Sequence, residues 1–129
     1  MTQARVCMWW GVVLLWMAGI WYLSAQPDLR SSFEQDFLLR KIAHVLVFGG
    51  LTYVVTKAWA ASGWRQSSAA AALWSLAYAM IDEWHQSYVP GRHGSPVDVA
   101  IDAIGIVVVA GFFLYTKHRP ARAMTKSVE

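Results

Sequence analysis

Residues 6–23 read VCMWWGVVLLWMAGIWYL and carry no charged side chain. As a helix, such a run is about 27 Å long at ~1.5 Å per residue, close to the ~30 Å hydrocarbon core of a bilayer. Three more runs of similar length follow: IAHVLVFGGLTYVVTKAWAA at 42–61, SSAAAALWSLAYAMIDEW at 67–84 and VDVAIDAIGIVVVAGFFLY at 97–115. The apolar share of the whole chain, 57%, and its positive mean hydropathy of +0.35 exceed those of an ordinary soluble domain. The pattern predicts an all-α membrane protein, a four-transmembrane-helix bundle forming a single domain over 1–129. The loops at 24–41 and 85–96 then share one side of the membrane, and the tail at 116–129 lies on the other.

The first run competes with a signal-peptide reading. It is longer than a usual signal core, and Leu23 is too large for the third position before a cut after Ala25. A retained helix is the expectation. With four spans, Arg5, Lys57, Arg65, Lys117, Arg119, Arg122 and Lys126 fall on one side, against Arg30, Arg40, Lys41 and Arg92 on the other. The positive-inside bias puts both termini in the cytoplasm. Acidic residues are skewed the other way, for only Glu129 is on the inner side. Trp9, Trp10, Trp21, Trp59, Trp64 and Trp84 lie near span ends, where an indole suits the headgroup level. The basic residues are scattered around apolar runs and form no soluble basic face, which argues against a nucleic-acid partner. The lone Cys7 excludes an intrachain disulfide and a cysteine metal centre. The segment around Phe33, Phe37 and Leu38 reads as either an amphipathic surface helix or a tether.

The polar side chains gather where three spans end on the outer side. Lys41 and His44 are three apart and share a helix face. Asp82, His85 and Gln86 share a face by the same spacing, with Glu83 pointing elsewhere unless the helix unwinds there. Asp98 and Asp102 are four apart, stacked at the start of the last helix, where Pro96 suits a first helical position. Asp102, about one turn in, is expected to face the bundle with Lys41, Arg92 or His44 as its partner, because ionisable groups in membrane helices are costly when exposed to lipid. Gly105, Ala110 and Gly111 on the fourth span, and Ala79 on the third, are small enough to permit close helix approach.

These motifs resemble the VanZ-like family of small bacterial membrane proteins. The resemblance is carried by Lys41-x-x-His44, by Asp82-Glu83-x-His85-Gln86, by Pro90-Gly91-Arg92, and by Asp98 with Asp102 and Gly105; it covers about residues 8–115. The chain departs from the pattern at Asp102, where many members carry Asn. The family is named for a teicoplanin-resistance protein. The resemblance therefore implies a multi-pass protein of the bacterial cytoplasmic (inner) membrane with a role connected to the cell envelope.

Three readings of the polar cluster stay open. In the first, the groups pair across helices and only close the bundle. In the second, Lys41, His44, Gln86, Arg92, Asp98 and Asp102 bind an anionic compound, with Arg92 as a planar two-point clamp. A lipid-linked envelope intermediate suits that depth. In the third, Glu83, His85 and Asp82 are the acid and base of a membrane enzyme acting on such a substrate. No cofactor is indicated. A divalent cation would fall to Asp82, His85, Asp98 and Asp102, but no recognised metal-ligand spacing occurs.

Overall fold

The computed structural model describes residues 2–27 and 36–118. Four helices follow in order: α1, Gln3–Ser24; α2, Asp36–Ala61; α3, Ser67–Gln86; and α4, Pro96–His118. No strand occurs among the described residues. Each helix runs beyond the apolar stretch that signals it, most of all α2. Its first turns, from Asp36 to Lys41, belong to the stretch expected as loop. Hydropathy marks where a chain is greasy, whereas a helix continues until a turn or a capping sequence ends it. The surface segment expected around Phe33 and the basic tail beyond His118 fall outside the described residues.

α1, Leu38–Ala61 of α2, and α4 are long and apolar enough to cross a membrane. α3 is not among them. Its 20 residues suffice in length, but serines at its start and Asp82, Glu83, His85 and Gln86 at its end dilute its apolar character. The interior is built on α2. Phe48, Leu51, Thr52 and Val55 recur at helical spacing and are all at or near zero exposure. Val13 and Ile20 of α1, Ala71 and Ala79 of α3, and Ile106 of α4 pack around them. The two buried threonines do not spend polar groups there: Thr52 donates to the Phe48 carbonyl at 2.9 Å and Thr56 to that of Thr52 at 2.7 Å.

Three pairs of helices are tied at particular residues. α2 and α4 meet at glycines: a methyl group added to Gly105 would overlap the Val45 carbonyl, and one on Gly49 would touch the Gly105 carbonyl. Trp16 of α1 lies across Gly50 and donates its indole N–H to the Val47 carbonyl at 3.0 Å. Tyr78 of α3 reaches the Met17 carbonyl at 2.7 Å.

The two ends of the bundle differ in chemistry. At one end Trp10, Trp59 and Trp74 meet edge to face, Trp64 lies 4.3 Å from Trp59 between ring centroids, and Trp10 donates to the Ser62 hydroxyl. Lys117 donates to the Arg65 carbonyl there. The acidic residues that the structure describes in detail lie at the other end.

Candidate functional site

The polar end collects the C-terminus of α1, the first turns of α2, the last turn of α3, the 87–95 loop and the start of α4. A ladder of pairs joins α2 to α4. Lys41 pairs with Asp98, and one turn deeper the His44 Nδ1 lies 3.0 Å from the Asp102 Oδ1. The spacing of three on α2 meets the spacing of four on α4, so both pairs close at once. Asp102 is fully buried and faces the bundle, as its cost in lipid requires. Of the three candidate cations, its partner is His44.

On α3 the arrangement differs from the expected one. Glu83 turns inward and is only 5% exposed, its Oε2 accepting the Ser95 backbone N–H at 2.8 Å. His85 turns aside instead and stacks on Trp21 of α1, with ring centroids 3.8 Å apart and planes within 10°. The helix does not unwind to achieve this. At ~100° per residue, Asp82, Gln86 and Glu83 together span an arc of roughly 100°. α3 packs against both α2 and α4, so a sector that wide is buried and His85 sits at its margin. The carboxylate nearest His85 in sequence is therefore not its partner. Glu83 lies instead beside His44 and Asp102, and one ligand-type atom from each of the three falls within 4.8 Å of the others.

Gln86 organises the floor. Its amide donates to the Asp82 Oδ2 at 2.9 Å and to the Ser24 hydroxyl at 3.2 Å. Three oxygens on three different carboxylates, Asp82 Oδ1, Glu83 Oε1 and Asp102 Oδ2, are buried with no hydrogen-bond partner among the described residues. The loop closes over them because Gly91 adopts φ 79°, and because Gly94 presses so near the Glu83 carbonyl that a side chain there would overlap it. Arg92 is the cross-tie of this loop: its Nε donates to the Gln26 carbonyl at 2.9 Å and its Nη2 to the Leu23 carbonyl at 3.3 Å. It thus satisfies carbonyls at the end of α1, where a helix leaves its last acceptors unpaired. Five guanidinium donors leave others for a ligand.

Two adjoining cavities open at this end and share Arg40, His44 and Arg92. One, of about 170 Å³, is walled by Ile20, Leu23, Val47 and Phe48 and reaches Asp82. The other, of about 290 Å³, is walled by Lys41, Gln86, His93 and Asp98 with Gly91. All the expected ligand-binding residues but Asp102 border one or both cavities, and Asp102 lies behind His44. Sequence reasoning missed Arg40, which borders both, and Ser24 and Ser95, which hold Gln86 and Glu83. The pair Arg40-Lys41 was a usable signal for the first; nothing local marks the serines.

A small helical membrane protein with a polar, partly enclosed site between its helices is the class this geometry defines. The chain belongs to the VanZ-like family: the family model VanZ/LLP1 matches residues 9–117. It is similar to the uncharacterized membrane protein YwnJ of Bacillus subtilis (strain 168), with 32% identity over 106 residues, 76% of this chain and 71% of the relative. No solved structure matches.

Proposed function

We propose that the chain is a four-span protein of the bacterial cytoplasmic membrane whose polar end, on the outer face, binds the anionic headgroup of a lipid-linked cell-envelope compound. The observation that carries this reading is the junction of the two cavities. An apolar slot bounded by Ile20, Leu23, Val47 and Phe48 suits the first segment of a lipid chain. The polar cavity beside it, bordered by Arg40, Lys41 and Arg92, suits a phosphate or carboxylate. A ligand with both parts would bridge them at His44.

A crossing by α3 is supported by its outward face. Leu73, Met80, Ile81 and Trp84 are each about half exposed or more, and a bilayer would cover them. The basic-residue bias supports cytoplasmic termini and hence an outer site. In this reading Lys41, Arg40 and Arg92 engage the anion, Asp98 orients Lys41, Asp102 orients His44 from behind, and Gln86 borders the headgroup's cavity. A part in envelope modification, or in susceptibility to teicoplanin-type glycopeptides, would be its physiological form.

The test is thermal stability in detergent with a polyprenyl phosphate or the matching uncharged polyprenol. The phosphate is expected to raise the Tm by several degrees and the alcohol to have little effect. In a folded Lys41→Gln/Arg92→Gln variant the rise should vanish. Equal shifts with phosphate and alcohol would mean that the site does not read the charge.

In the acid–base reading, Glu83 would work with His44 and Asp102 in place of His85. Glu83 and His85 diverge, whereas His44, Asp102 and Glu83 meet.

A further inference from the structure

We propose that His44, Glu83 and Asp102 form a binding site for a divalent transition-metal cation, zinc or manganese, within the polar end of the bundle. It stands on a geometry of its own: Glu83 and Asp102 lie behind the basic cavity, and His44, which borders that cavity, faces them.

The first support is the state of the carboxylates. Asp82 and Asp102 are fully buried and Glu83 nearly so. Each spends one oxygen on a protein contact: Asp82 on Gln86, Glu83 on the Ser95 N–H, Asp102 on His44. Each then holds its other oxygen in the interior with no hydrogen-bond partner among the described residues. Orphaned carboxylate oxygens are costly to bury, and those of Glu83 and Asp102, on side chains that meet at His44, call for a shared cation or for protons.

The second support is charge. The nearby cationic side chains have other contacts: Lys41 pairs with Asp98, and Arg92 donates to the carbonyls of Leu23 and Gln26. Against these, the His44 imidazole meets Asp102 directly, with two more buried carboxylates, Asp82 and Glu83, nearby.

The third support is distance. The donor atoms of His44, Glu83 and Asp102 all lie within 4.8 Å of one another. Ligands on opposite sides of an ion at ~2.1–2.4 Å stand about 4.2–4.8 Å apart, so this group encloses an ion with little movement. One imidazole nitrogen and two carboxylates favour zinc or manganese over magnesium or calcium, which prefer all-oxygen sets. Three protein ligands leave coordination positions open. The apolar cavity, bordered by His44 and Asp82, supplies a route of entry.

The test uses the full chain in detergent, stripped with a chelator and titrated with Zn²⁺ or Mn²⁺. One equivalent per chain is expected to bind. Glu83→Gln and Asp102→Asn, which keep the side-chain shapes, should each weaken binding at least tenfold. His118→Asn, an exposed imidazole at the opposite end of α4, should bind as the wild type does. Loss of binding in His118→Asn equal to that in the other two would overturn the assignment, as would substoichiometric binding to the wild type. Should either site variant fail to fold, the wild type itself decides. Pulsed EPR of the Mn²⁺ form should show nitrogen coupling from an imidazole, and its absence would overturn the proposal.

Discussion

Replacing Gly105 with leucine should prevent α2 and α4 from docking, and with it the assembly of the whole polar end. A Cβ at this position would overlap the Val45 backbone carbonyl on the facing helix, and the next nearest atom is the Gly49 backbone nitrogen. Backbone cannot rotate aside as a side chain can. Alanine alone should therefore cost about 3 kcal/mol, the upper part of the range for overpacking, and leucine more than the fold can absorb. The loss would extend beyond packing, because the Lys41–Asp98 and His44–Asp102 pairs join the same two helices. Gly111 is the internal control. It lies on the same helix, is exposed, and an added methyl would meet nothing within 4 Å. Gly111→Ala should be neutral or stabilise by about 0.5–1 kcal/mol through helix propensity. Unfolding in mixed micelles measures both. Equal effects at the two glycines would contradict the docked α2–α4 interface.

Asp102→Ala should be the most damaging change in the polar cluster. It removes the carboxylate that His44 contacts and leaves a void at a fully buried position. Removing one partner of a buried pair costs about 3–5 kcal/mol. Here one of three neighbouring carboxylates disappears as well, and that relieves part of their mutual repulsion. The net expected loss is therefore at the low end, about 3 kcal/mol. Asp102→Asn keeps the volume and an oxygen that accepts from the His44 ring, so its loss should stay below ~1.5 kcal/mol. Equilibrium unfolding of the two variants separates these values. A wild-type-like midpoint for Asp102→Ala would mean that the pair contributes no stability.

Much of this architecture is legible in the chain. Four runs of apolar residues give four helices, and the spacings put Lys41 with His44, and Asp98 with Asp102, each on one helix face, while the partner of Asp102 stays open among Lys41, Arg92 and His44. Four things are not legible, each for a physical reason. Gly105 and Gly111 look alike in sequence, yet only one faces a neighbouring backbone. The inward Asp102 puts Gly105 on the buried side of α4, but no spacing reveals that the Val45 carbonyl comes into contact there. Glu83 was assigned to the wrong side because a single-face rule assumes one packing partner, whereas α3 has partners on two sides and buries a wider arc. His85 lies three residues after Asp82, a spacing that puts the two on one helix face. Its ring instead stacks on Trp21 of a helix 64 positions earlier in the chain, which no local pattern reveals. The same separation hides Arg92 as a tie to the end of α1.

Most directly, the central claim that the polar end is a ligand site and more than a fastening between helices is tested by native mass spectrometry of the protein extracted gently from its own membrane, beside a folded Lys41→Gln/Arg92→Gln variant. The account predicts an adduct with the mass of an anionic lipid on the wild type and its loss from the variant. A bare wild-type chain, or an adduct kept equally by both, would contradict it.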